Sequence, residues 1–307
     1  MKRFTTLVVC GLVFTLAVTG AAKKPRKLPM KAYITGAKIS GGFTGETPNS
    51  DAALALLDTC LMFYGMVPEA YFWQVSILSE LAEEIPSNDT AKLIEGLTRF
   101  KTTYDSLVLS CDEEFKEVKI KKKLRKKCSD FRATADSLHH ERYAEYFNRA
   151  QESRNLVLDT LVKELEELTN EEDIADMKEE IKVAIAEAIA NYDIASILKP
   201  DDASIAIHMG DIYSSQRQYD KALKYQRHAA EITKERDPGN YPAMLNQVAY
   251  SYYELKEFEK SADVFKEIAE LVEGEQRIMQ YRNVVACYSS VSQADSVFVY
   301  NYKVLEI

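Results

Sequence analysis

Histidine is scarce, at 4 of 307 residues, which removes the commonest metal ligand and general base from most of the chain. His139 and His140 are adjacent, and neighbouring side chains on a helix point in different directions. His208 and His228 lie in a helical stretch and read as surface positions. No metal site is expected. Glycine and proline are sparse too, at 11 and 8. There is no glycine-rich phosphate loop and no Gly-x-Ser-x-Gly elbow, and no carboxylate pair stands out as a general acid and base. The sequence therefore assigns no catalytic residue and no cofactor, and a non-catalytic protein is expected.

An excess of positive charge is missing as well. The balance is −9 at neutral pH, which carries no general signal for nucleic acid or an anionic membrane. Lys116 to Lys127 is a local exception, with eight basic residues. No aromatics interleave there to stack bases, so it reads as a solvated helix face and no nucleic-acid partner is expected. Cysteine numbers 5. Apart from Cys10 these are Cys60, Cys111, Cys128 and Cys287, an even number that permits disulfides in an exported protein. Cys111 and Cys128 flank the basic segment and are the candidate pair. Cys60 and Cys287 lie on apolar helices and read as small buried residues.

Long apolar runs are confined to the start. Lys2 and Arg3 precede an apolar run from Leu7 to Val18, and Thr19-Gly20-Ala21-Ala22 follows. Residues 1–22 thus have the layout of a signal peptide. The rival reading is an uncleaved anchor, favoured by Lys23, Lys24, Arg26 and Lys27 just beyond. Either way the chain is expected to be exported, periplasmic or tethered on that side of a bacterial envelope. It meets the membrane only if this segment is retained.

What is plentiful is Ala, Leu, Glu, Lys and Tyr, which suits helices. Residues 23–47 carry Lys, Pro, Gly and Thr without periodicity and read as a flexible linker. Residues 48–111 read as degenerate repeat-like helices, with Ser50 or Asp51 as a cap and Leu93, Leu97, Phe100 and Tyr104 on one face. Residues 112–168 read as long charged and amphipathic helices. Residues 169–307 carry an internal repeat. Counting from Gly210, Tyr213 lies three positions on, Tyr219 nine and Ala222 twelve; from Ala249, Tyr252, Phe258 and Ser261 repeat those offsets. Self-similarity at a few dozen residues marks a stacked architecture.

These positions resemble the tetratricopeptide repeat, most strongly over residues 185–270. Ala188, Tyr192, Ala195 and Pro200 keep that family's second-helix spacing. Gln226 departs from it, standing where an aromatic is usual. Extra residues precede Asp237-Pro238, and the unit from Pro242 lacks a closing proline. The resemblance implies an all-α fold, a right-handed superhelical solenoid of antiparallel helix pairs. It also implies a concave groove lined by first helices, here Ser204, Ile207, Asp211 and Ser214, then Ala243, Asn246, Tyr250, Tyr253 and Glu254. The lysine and asparagine clamp that some relatives use for a terminal carboxylate is absent. The function expected is a scaffold or assembly adaptor that binds other proteins or peptides. The alternative is an architectural protein that self-associates through the apolar C-terminal helix, where Val297, Val299, Leu305 and Ile307 lack an evident polar cap.

Overall fold

A computed structural model describes residues 29–42, 49–85, 89–116 and 122–306. The expected signal segment at 1–22 lies outside these residues. Among them all regular structure is helical. The chain divides into two compact units, 1–145 and 146–307.

The first unit contains α1 (Met30–Ser40), α2 (Ser50–Tyr64), α3 (Pro68–Glu84), α4 (Thr90–Lys116) and most of α5 (Lys122–Asn155). Helix α1 corrects the expectation of a flexible linker over 23–47. Its Tyr33, Ile34 and Ala37 are buried, a stripe one helical turn long that the flanking Gly and Pro residues obscured. A Cβ on Gly36 would come within 3.2 Å of Leu56 Cδ1, so glycine lets α1 approach α2 closely. Asn49, rather than Ser50 or Asp51, caps α2, accepting from the Ala52 amide at 3.0 Å and satisfying a donor that the helix start leaves free.

Between α4 and α5 the pairing is antiparallel. Phe100 and Tyr104 stack on His139, with ring centroids 6.2 and 4.3 Å apart. The Tyr104 hydroxyl donates to Asp136 at 2.7 Å, and Arg132 reaches Asp112 at 2.8 Å. Helix α3 joins through a Phe72–Phe131 stack at 4.5 Å and through Glu69. That carboxylate accepts from Lys38 at 3.1 Å and Lys127 at 2.8 Å.

The second unit begins with the end of α5, a π-helical turn at Leu156–Leu161 and α6 (Val162–Glu167), then α7 (Glu171–Leu198). After it come α8 (Ala203–Ser215), α9 (Tyr219–Arg236), α10 (Tyr241–Glu254), α11 (Phe258–Leu271), α12 (Gly274–Ser290) and α13 (Ala294–Leu305). From α8 onward each helix packs chiefly on the one before it and the one after, the nearest-neighbour logic of a helical repeat.

The small residues sit at the crossings, where their spacing puts them. Gly210, Ala222, Ala249 and Ser261 are all buried, and a Cβ on Gly210 would stand 2.9 Å from Gln226 Cγ. The three α8, α10 and α12 ends close in the same way. Arg217, Lys256 and Ser292 take φ of 59°, 62° and 57°. The next amides, of Gln218, Glu257 and Gln293, donate to Tyr213, Tyr252 and Tyr288 at 2.9, 2.9 and 3.0 Å. This is the Schellman closure, built here without glycine. The two phenylalanines and alanines of α11 then fill the space between neighbours, with Phe265, Ile268, Val284 and Cys287 in one core.

Candidate functional site

The first helices of successive pairs are α8, α10 and α12, and their shared αL turns give a common register. Thirteen residues before each turn stand Ser204, Ala243 and Met279; ten before stand Ile207, Asn246 and Arg282; six before stand Asp211, Tyr250 and Ala286. The expected groove positions therefore fall into rows. The groove positions expected from sequence stop at α10, and the structure extends the rows to α12. Met279, which is 52% exposed, and the exposed Arg282 belong to them. The missing signal was a small residue at the α12 crossing, where Val285 stands; the turn at Ser292 supplies the register instead.

The candidate residues divide in use. Tyr250 keeps 56% of its surface open while its ring edge rests on Phe265, centroid to centroid 5.6 Å. Tyr253 is similarly supported by Phe258 at 5.1 Å and is 36% exposed. Each ring is thus held by its own helix pair and still presents a face and a hydroxyl, which suits contact with another chain at little rotamer cost. Glu254 and Ser204 are exposed, and Ile207 is half-buried. Asn246 spends its amide on the Pro242 carbonyl at 3.2 Å.

Asp211 and Ser214 are engaged inside the fold. Asp211 accepts from Arg154 at 3.4 Å and Gln247 at 3.5 Å, a polar ladder across three helices. The Ser214 hydroxyl accepts from Gln226 at 3.0 Å, and Gln226 in turn accepts from Ser251 at 2.6 Å. The glutamine at the usual aromatic position is thereby explained: buried at 3% exposure, it ties α8, α9 and α10 by hydrogen bonds where an aromatic would tie them by packing.

Beside the ladder, His208 packs against Tyr192 and Phe147, with centroids 5.5 and 6.1 Å away, and meets Gln151 at 3.5 Å. Burial, reinforced by the Arg154 charge, holds the imidazole below its ordinary range, with Asp211 and Asp202 pulling the other way. Burial pushes the Tyr192 hydroxyl up to about 12, with Arg154 opposing and Asp211 adding to the rise. Tyr192 Oη, His208 Nδ1, Arg154 Nε and Gln247 Oε1 are buried without a protein partner. A cavity of about 30 Å³ lined by Arg154, Val157, Ile185, Asp211 and Ser215 adjoins the Arg154 side chain, room for a water or two. Among the described residues no group of three His, Cys, Asp or Glu is arranged to hold a metal ion.

Cys111 and Cys128 come together as thiols on α4 and α5, and Cys287 packs against Ser261 at 3.4 Å. On α13, Phe298, Tyr302 and Leu305 are 74%, 57% and 82% exposed; Ile307 lies outside the described residues. No described helix is long and apolar enough to cross a membrane.

No family model matches the chain, and no curated protein matches it. Similar solved structures include a thermophilic TPR protein of Thermus thermophilus, at 12% identity and TM-score 0.30, covering 83% of this chain and 99% of that one. PilF of Pseudomonas aeruginosa follows at 12% identity and TM-score 0.31, covering 89% of each. BtubC of P. vanneervenii stands at 12% and 0.33, covering 91% of each. The paired helices, small residues at the crossings and repeated turns described above give the helices from α8 onward a tetratricopeptide-like repeat fold.

Proposed function

We propose that the chain is a non-catalytic scaffold or assembly adaptor that holds another polypeptide along the α8–α10–α12 face. One observation carries this reading: Tyr250 and Met279 stay 56% and 52% exposed on successive first helices, at row positions of the shared register. An exposed aromatic braced from behind is the kind of anchor that dominates binding energies. The signal-like pattern of residues 1–22 supports a workplace in the cell envelope, and N-terminal sequencing of the cell-derived protein tests that part.

The binding claim is tested by placing a photo-crosslinking amino acid at Tyr250 of the full chain in its native cells, with Glu231 on exposed α9 surface as the control. Crosslinks to a discrete set of other polypeptides from position 250, and few from 231, are expected. Equal capture at both positions, or none at 250, overturns the reading.

The exposed Phe298, Tyr302 and Leu305 on α13 favour a second reading, self-association through that helix. Light scattering distinguishes it: mass rises with concentration if α13 pairs with a second copy, and stays that of one chain if it does not.

A further inference from the structure

The α4–α5 hairpin carries a feature that groove binding does not use. We propose that Cys111 and Cys128 are a disulfide-forming pair that staples this hairpin when the chain meets a disulfide oxidant. The antiparallel register places them at one level. The Phe100–His139 and Tyr104–Asp136 contacts set the alignment, and extending it toward the loop brings 111 opposite 128. The Cys111 thiol lies 3.7 Å from the Cys128 carbonyl oxygen on the facing helix. Both residues are essentially fully buried, at 0% and 1% exposure. Arg132 and Asp112 pair at 2.8 Å across the same interface and hold the two helices in register.

The chemistry is thiol–disulfide exchange. One cysteine, as thiolate, attacks a sulfur of an external disulfide and releases one thiol. The second thiolate then attacks the mixed disulfide and releases the other. The two cysteine protons and two electrons end on the two released thiols, and one S–S bond replaces another. Timing follows from burial. Desolvation, with the Cys128 hydrogen bond adding to it, pushes the Cys111 thiol up to about 12. The attacking species is therefore almost absent in the closed hairpin at neutral pH. Exchange proceeds while the hairpin is open, during folding, and the finished bond is shielded from reductants.

The test refolds the full chain from reduced, denatured protein in oxidised glutathione, then alkylates under denaturing conditions and maps peptides by mass spectrometry without reduction. A Cys111–Cys128 crosslink is expected, with Cys60 and Cys287 alkylated. Cys111 found alkylated, glutathione-capped or joined to another cysteine overturns the pairing. The oxidised chain should melt several degrees above its reduced form, a gap that vanishes in Cys128→Ala and in Cys111→Ala. An unchanged melting temperature overturns the stapling role. The same oxidant given to the folded, reduced chain should act at least tenfold more slowly; an equal rate contradicts the burial account.

Discussion

Helices α1 to α5 and helices α8 to α12 both pack as neighbours, yet different chemistry joins them. In the first set, ring stacks and charges cross the interfaces: Phe72 on Phe131, Tyr104 on His139, and Glu69 between Lys38 and Lys127. Arg142 similarly gathers Ser79, Glu83 and Glu145. In the second set, a missing side chain at Gly210 and small ones at Ala222, Ala249 and Ser261 let the backbones close, and Gln226 stitches them. Spacers built from large groups can differ at every interface. Close crossings cannot, because each must be vacant at the same place, so repetition becomes visible in the sequence.

Substitutions that add bulk should separate the two regions. Gly210→Leu drives a side chain into the α8–α9 crossing and is expected to cost about 3 kcal/mol in denaturant unfolding. A loss below about 1 kcal/mol would mean that the crossing is not tight. Gln226→Ala strands Ser214 and Ser251 and opens a void; a loss of about 2 kcal/mol is expected by the same measurement. Against these, Gly96→Ala in α4 adds a Cβ that meets only the end of Ile85 at 3.2 Å. Its helix-propensity gain of up to about 1 kcal/mol leaves it neutral or stabilising.

Charge distinguishes the regions through pH. Burial alone would raise Glu69, but the hydrogen bonds and charges of Lys127 and Lys38 overcome it and hold the carboxyl below its ordinary 4.5. Its stabilisation is therefore present above that value and lost as pH falls through the lower folded value. Glu69→Gln should cost about 1 kcal/mol at neutral pH and remove that acid-dependent loss from the unfolding curve. His208 gives a smaller effect in a different window. With its folded value depressed, the unfolded chain takes up the proton first, so stability declines as pH drops below 6.5. His208→Gln should flatten the decline between pH 7 and 5 in thermal melts.

Much of the repeat was legible because the glycine and alanine offsets are dictated by the crossings. The turns were not: αL closures usually announce themselves with glycine, and Arg217, Lys256 and Ser292 adopt that backbone without it. Helix α1 was missed because its buried Tyr33, Ile34 and Ala37 are set among linker-like composition. At the groove, Tyr250 and Tyr253 were recognisable by register, whereas the engagement of Asp211 by Arg154 depends on a contact 57 positions away, beyond any local pattern. Met279 was hidden by the valine that replaces a small residue on α12.

Hydroxyl-radical footprinting of the full chain, purified and in its native cells, tests the open-face account most directly. Met209 is 1% exposed and Met279 52%. The account predicts that Met279 and Tyr250 react readily in the purified chain and are protected in the cell, with Met209 protected in both. Met279 and Tyr250 reacting equally in the two settings, or Met209 reacting as fast as Met279, would contradict it.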